Sequence, residues 1–317
     1  AWVTKSDKAI NETIRQAKRV PVLINYSVGS KRYEKAPDVF DLALIQKIEE
    51  LDIPYQFPTD CMPEGYNTEQ PKVSHGITHV HHFYTKRNLW VLASYIDRIE
   101  RSSLPSKLSW VTTGIDPIIS RLLNYRVAGS GKPTPLKGTL YISSLYPELN
   151  VNNMFFNKSI LRIKPIINRT ANYSVLNTQT SDTDLHIFPN SIDYIFTDPP
   201  FGGNLMYSEL NFLWEAWLNV FTNNKPEAIE NKVQGKGLPE YQHLMTECFR
   251  QYYRVLKPGH WMTVEFHNSK NSVWNAIQEA LQTAGFIVAD VRTLDKQQGS
   301  FKQVTSANAV KQDLIIS

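Results

Sequence analysis

The chain has 317 residues, 42% of them hydrophobic, with a formal net charge of +4, enough apolar material for a full α/β core in one or two domains. No run of 18 apolar residues occurs, so neither a membrane helix nor a membrane partner is expected. The only two cysteines, Cys61 and Cys248, are too few for a disulfide framework or a four-cysteine zinc site, and two buried thiols in a reducing cytoplasm are expected.

The charge is uneven. Residues 1–137 carry 19 Lys and Arg against 14 Asp and Glu, while the rest carries 15 against 16. That bias suits a phosphate-contacting surface and, equally, a solvated face. Ala1-Trp2-Val3-Thr4-Lys5 has neither an initiator methionine nor the apolar core of a secretion signal, and Asp313 to Ser317 reads as a strand cut short. An excised piece of a longer protein is expected.

In chain order, the pattern predicts a helix from about Lys5 to Lys18 and a strand over Val20 to Tyr26. A second helix is predicted from Asp38, with Leu42, Ile45 and Ile48 on one face. Residues 53–74 hold Pro54, Pro58, Pro63 and Pro71 and little apolar register, which reads as a loop or extended arm. His75, His79, His81 and His82 follow within eight residues. His79 and His81 would share a strand face, yet no acidic or cysteine partner stands at ligand spacing. No metal is expected there; a turn, or a polar segment meeting DNA or cofactor, is.

A helix bearing Leu89, Leu92, Ala93 and Ile96 comes next, then a helix or helix pair over 105–126. Gly129-Ser130-Gly131-Lys132 lacks the glycine spacing and the following Ser/Thr of a phosphate-binding loop, and reads as a connection. A strand at Thr139 to Ile142 and a helix over 151–167 complete this half. From Ser174 the period becomes βαβ. Strands are predicted at 174–179, 192–197, 261–266, 286–292 and 312–316, and helices at 208–220, 239–256 and 271–284. That alternation implies an α/β fold with a mostly parallel sheet covered on both faces. Phe301 to Thr305 and Asp313 to Ser317 read as an antiparallel hairpin at one edge, and the region before as a mixed N-terminal part.

The chemistry concentrates at Asp198-Pro199-Pro200-Phe201, directly after the apolar strand Ile192 to Thr197. In open α/β sheets ligands bind beyond the carboxyl ends of the strands. Each proline fixes its own φ and restricts the residue before it, so the Asp198 and Pro199 carbonyls are aimed in advance. An exocyclic NH2 offers two donors, which one carboxylate and one carbonyl can accept, while Phe201 can stack on the base that carries it. A plain strand followed by a proline turn is the bland alternative.

This tetrapeptide resembles the catalytic motif of the amino-methyltransferases that act on adenine N6 or cytosine N4 in DNA. Thr180 to Leu185, Phe188 to Asp193, Arg254 to Gly259 and Trp261 to Phe266 are similar to the family's flanking segments in the same order, and together cover about residues 174–317. The resemblance implies a class I methyltransferase-like, Rossmann-like sheet, S-adenosyl-L-methionine as methyl donor and DNA as substrate. Asp198 in place of serine implies adenine. Asp198, Pro199, Pro200 and Phe201 would be catalytic, and Asp182, Thr197 and Asp198 would face the cofactor, although Asp182 can also be read as a helix cap.

Lys86 or Arg87 would lie near the substrate by the same resemblance. The basic glycine-containing loops with Lys232 and Lys236, and with Lys296 and Lys302, could grip phosphates. A duplex base cannot reach such a site while stacked, so base flipping is implied. The implied division is 1–137 as an accessory, DNA-contacting region and 138–317 as the catalytic domain, within a restriction-modification or defence system.

One element of the family is missing. No Phe-x-Gly-x-Gly turn for the methionine end of the cofactor exists in 1–317, and no paired-cysteine zinc ribbon. An upstream segment or a partner chain would have to supply the first strand and its loop. The remaining alternatives are a cytosine-N4, RNA or protein-glutamine methyltransferase, or a non-catalytic DNA-binding or assembly module that keeps the fold.

Overall fold

The computed structural model describes residues 1–103, 105–126, 133–157, 182–294 and 313–317. The chain divides into two compact units, Ala1–Asn172 with Glu209–Thr222, and Tyr173–Ser208 with Asn223–Ser317. Residues 209–222 return to the first unit. No helix among the described residues is long and apolar enough to cross a membrane.

The first unit opens with two hairpins instead of the expected helix and strand. β1 (Trp2–Asp7) pairs antiparallel with β2 (Glu12–Ala17), and β3 (Ile24–Val28) with β4 (Lys31–Lys35). In β2 only Ile14 and Gln16 are buried, a period of two that decides for a strand. Asn11 at φ 54° and Gly29 at φ 60° take the left-handed turn positions, which Asn and Gly adopt most readily. Helix α1 (Val39–Glu50) begins as expected. Asp38 caps it in a reciprocal box with Asp41, satisfying two otherwise unpaired backbone donors.

The expected arm contains a helix, α2 (Tyr66–His75), ended by Gly76 in the left-handed region. Its buried face is Asn67, Thr68 and Pro71, so no apolar stripe announced it. The Glu209 carboxylate accepts from the Asn67 backbone N–H and side-chain amide at 2.9 and 3.1 Å. The histidine segment forms a 3₁₀ turn, Val80–Phe83, not a strand. Helix α3 (Lys86–Glu100), capped by Thr85, and α4 (Pro105–Ile119) follow, with a two-residue ladder between β5 (Leu123–Asn124) and β6 (Thr134–Pro135).

The strand expected at 139–142 does not form. Leu140 and Ile142 are buried, but the backbone of Ile142 pairs with the side-chain amide of Gln70 at 3.0 and 3.1 Å, which takes the place of a neighbouring strand. Residues 151–157 are helical. The remainder of the predicted 151–167 helix, the loop at 127–132, the strand at 174–179 and residues 301–305 lie outside the described residues. Val80, Phe83, Leu92, Val111, Ile115 and Leu213 centre this unit's core.

The second unit holds a four-stranded sheet in the order β7 (Ile192–Thr197), β8 (Leu256–Phe266), β10 (Asp313–Ile316), β9 (Val291–Leu294). β7 and β8 are parallel, and β10 is antiparallel to both β8 and β9. Among the described strands the reversed last strand sits between β8 and β9; its expected hairpin partner at 301–305 lies outside the described residues. A mixed α/β architecture results.

Helices α5 (Tyr207–Leu218), α6 (Leu238–Val255) and α7 (Asn271–Ala284) match the predicted spans closely. α6 buries Tyr241, Met245, Cys248 and Phe249, and α7 buries Val273, Ala276, Ile277, Ala280 and Leu281; both stripes have helical spacing. They join Met262, Val264 and Phe266 of β8 in one cluster. The alternate residues Tyr194, Phe196 and Trp261 are exposed. Among the described residues the sheet is covered on one face, not on both.

Candidate active site

β7 and β8 run parallel, so their carboxyl ends open at the same side, and Asp198-Pro199-Pro200-Phe201 leaves β7 there. Asp198 is exposed while Pro199 is buried and Phe201 half-buried. The motif is held from below. Tyr241 on α6 donates its hydroxyl to the Pro200 carbonyl at 2.7 Å, and Asn268, just past β8, donates its amide to the Phe201 carbonyl at 3.0 Å. The Phe201 ring meets Phe266 edge-on at 5.2 Å. Burial raises the Tyr241 hydroxyl well above its ordinary range, so it serves as a donor at every relevant pH.

Gly202 follows with φ +68°, and a Cβ there would stand 2.7 Å from Glu230 Oε1. The left-handed conformation favours glycine there, and any side chain would displace the Glu230 carboxylate. That Glu230 oxygen is buried without a hydrogen-bond partner. Glu230 belongs to a loop that closes over the residues after the motif. In that loop Glu227 accepts from the Ser208 backbone and hydroxyl at 2.9 and 2.6 Å, and Gln234 donates to the same carboxylate at 3.1 Å. Tyr207 lies beside this network; its hydroxyl is raised by burial first, then by the carboxylates of Asp198 and Glu227.

Asp182 and Thr197, separated by 15 positions in the numbering, are brought together by a residue the sequence did not single out. The Tyr252 hydroxyl of α6 donates to Asp182 Oδ2, and its side chain also hydrogen-bonds Thr197. Burial and the Asp182 carboxylate raise Tyr252 far above a free phenol. The neighbouring Cys248 thiol is pushed up to about 12, by burial first and then by Asp182, and behaves as an inert buried thiol. Cys61, expected to be buried as well, is exposed.

The predicted phosphate contacts are placed differently from one another. Lys236 donates to the backbone carbonyls of Asn224 and Glu227 at 2.6 and 2.8 Å, so it staples its own loop. Lys232 is exposed. Lys86 donates to the Glu49 carbonyl at 2.7 Å and Arg87 pairs with Glu148 at 2.8 Å, both within the first unit. Lys296 and Lys302 lie outside the described residues.

The stretch from β7 to β10 can now be compared with known proteins. Residues 192–316 match a family of DNA methylases, the N6_N4_Mtase model. That span begins at the strand feeding Asp198 and ends with the last residue of β10, so motif, supporting helices and reversed strand all fall in the part that is similar to DNA methylases. No curated protein matches the chain.

The histidines expected to lack an acidic partner have one. Asp7, at the end of β1, accepts from Nε2 of both His81 and His82 at 2.8 and 2.7 Å through one oxygen. The partner is 74 residues away from His81, beyond any local spacing rule.

Proposed function

We propose that this chain is the catalytic part of a DNA methyltransferase that methylates the N6 amine of a flipped adenine with S-adenosylmethionine. The observation that carries the proposal is an exposed carboxylate, Asp198, at the carboxyl end of a parallel strand, inside the part similar to DNA methylases. S-adenosylmethionine would supply the methyl group on a sulfonium. The amine is a poor nucleophile because its lone pair is delocalised into the ring. Asp198 and the Pro199 carbonyl accept its two N–H groups, draw the nitrogen toward tetrahedral geometry and stabilise the positive charge that forms on it. Phe201 stacks on the base, recovering about 1–3 kcal/mol of the flipping cost. Aspartate at 198, rather than serine, supports adenine over cytosine.

The residues present fit one end of the cofactor. Asp182, exposed and steadied by Tyr252, suits a hydroxyl or amine of its adenosine part, with Thr197 beside it. The methionine end has no glycine-rich turn anywhere in 1–317. Among the described residues β7 pairs only with β8, and Tyr194, Phe196 and Trp261 on the uncovered face are 54%, 58% and 56% exposed. A strand and loop from an upstream segment or a partner chain would fill that gap and complete the cofactor site. The same vacancy favours a second reading, an assembly module that is inert alone.

Mass spectrometry of nucleosides from DNA incubated with the chain and S-adenosylmethionine tests the first reading. N6-methyladenine is expected, and Asp198→Ala should lower its formation by at least about 100-fold with DNA affinity retained. N4-methylcytosine as product would overturn the adenine assignment, and a fully active Asp198→Ala would overturn the role of the carboxylate. Calorimetric detection of S-adenosylmethionine binding by the chain alone would remove the assembly reading.

A further inference from the structure

The N-terminal hairpin and the histidine turn meet at a cluster that the methylase reading does not use. Asp7 Oδ1 accepts from the backbone N–H of Ala9 in the hairpin turn at 3.1 Å, leaving Oδ2 to take both imidazoles. The side chains of Asp7, His81 and His82 are only 10%, 7% and 4% exposed, and their donor atoms all lie within 4.8 Å of one another. His81 Nδ1 is buried with no partner, so that ring is held through Nε2 alone.

We propose that Asp7, His81 and His82 bind a divalent first-row transition ion, zinc being the simplest occupant, and that the ion clips the N-terminal hairpin to the 3₁₀ turn. Two imidazoles and one carboxylate, with a position left open, form a donor set known to hold such ions. Ligand atoms around tetrahedral zinc stand roughly 3.3 Å apart, given bonds of about 2.0–2.1 Å. The present 2.7 and 2.8 Å contacts therefore open by about half an ångström to admit the ion.

The rings are nearly in place already. Imidazoles sharing one zinc have centroids roughly 5 Å apart, and His81–His82, His79–His82 and His79–His81 stand at 4.3, 5.2 and 5.7 Å. His79, partly exposed, is the neighbour able to fill the open position in place of water. The turn itself is pinned. Val80 N–H donates to the Asp60 carbonyl at 3.0 Å, Met62 N–H to Thr78 at 2.9 Å, and the Arg121 guanidinium to the His82 carbonyl at 3.1 Å.

The number of protons on the two rings is the same with and without the ion. In the metal-free protein the Thr78 backbone N–H points at His82 Nδ1 over 3.3 Å, so the His82 proton is on Nε2 and is donated to Asp7. On metal binding each neutral ring moves its proton from Nε2 to Nδ1, His82 gives up the Thr78 backbone N–H contact, and the Asp7 carboxylate stays ionised. Thr78 Oγ1, 3.4 Å from His82 Nδ1 and 2.9 Å from His79 Nδ1, can accept from both rings, as acceptors behind metal-bound histidines do.

The test uses the whole chain, freed of metal with a chelator and then titrated with Zn²⁺ in a calorimeter, and with Co²⁺ followed by visible absorption. One equivalent of Zn²⁺ and a tetrahedral Co²⁺ spectrum are expected, with a rise in melting temperature that the chelator reverses. Asp7→Asn keeps an oxygen to accept from the rings and so keeps the fold, yet should bind Zn²⁺ roughly 100-fold more weakly; His82→Ala should remove the site. His243→Ala, in the other unit, should bind as the parent does. Zn²⁺ uptake unchanged by Asp7→Asn, or none by the folded parent chain, overturns the proposal and leaves a metal-free hydrogen-bond latch.

Discussion

The two units bury different things. In the second, the interior is Tyr241, Met245, Phe249, Met262, Val264, Phe266, Ile277 and their neighbours, with few polar side chains among them. The first unit has an apolar core too, but it also buries Gln16, Asn67, Thr68, His81, His82, Asn88, Asp116, Arg121 and Glu209. Each of these bonds to a group far away in sequence or to the backbone. An apolar interior fails by leaving a cavity, at a cost that grows with the volume lost. A buried polar network fails by stranding a partner, and the cost depends on which atom is stranded. The Asp198 motif sits on the first kind of interior, and the histidine cluster sits in the second.

The largest effect should come from the apolar side. Phe249 is fully buried on α6, one turn from Tyr252. Phe249→Ala should cost about 3–5 kcal/mol, read by denaturant titration. Amide exchange should accelerate across 238–284 while the β1–β2 hairpin keeps its protection. Equal acceleration in both regions would mean that the units unfold as one body and would break the comparison.

Asp116 sharpens the polar side through pH. It is completely buried on α4, accepts from the Tyr84 hydroxyl, and its other oxygen has no partner. Trp217 donates to Tyr84 at 2.9 Å, and the carboxyl lines a cavity of about 130 Å³ with Trp214 and Trp217. Burial raises its pKa to about 7 from 3.8, with Tyr84 opposing. Between those values the folded chain holds a proton that the unfolded chain has released, so Asp116's own contribution to stability is greatest below about pH 4 and falls as pH rises toward 7. At 1.4 kcal/mol per pKa unit the loss reaches at most about 4 kcal/mol. Asp116→Asn keeps an acceptor for Tyr84 and removes the charge. The melting temperatures of parent and variant should converge near pH 4 and diverge up to pH 8, with the variant higher. Parallel curves would show that Asp116 is not the group responsible.

The same contrast explains what could be read from the sequence. β7, α6 and α7 were legible because each carries its own apolar pattern within a short window. The Asp198 motif was legible because its residues are contiguous. Tyr252 and Glu230 were not, because a tyrosine on an amphipathic helix and a glutamate in a loop look ordinary until Asp182 and Gly202 are set beside them.

In the first unit, 5–18 read as a helix because a hairpin's register is visible only once its two strands face each other. Helix α2 was hidden by its polar buried face, whose partner Glu209 lies 142 residues away. Asp7 and the histidines are separated in the same way. Long-range polar pairing leaves no local signal, whereas apolar periodicity does.

Asn88 gives the smallest and most specific of these tests. It is buried in the first turn of α3, its amide donates to the carbonyls of Ile119 and Leu149 at 2.8 and 3.2 Å, and its backbone N–H donates to the capping Thr85. Asn88→Ala removes the donor and strands two carbonyls, one of them at the end of α4, so about 1–3 kcal/mol should be lost. Asn88→Asp has nearly the same shape but turns a charged acceptor toward two acceptors, so it should be less stable than the alanine variant although it changes volume less. An apolar interior would rank the two the other way, because there the lost volume decides. Denaturant titration of both variants therefore reads which kind of interior holds α3, α4 and the 149 loop together. Finding the alanine variant the weaker would assign this region to packing and remove the distinction between the units.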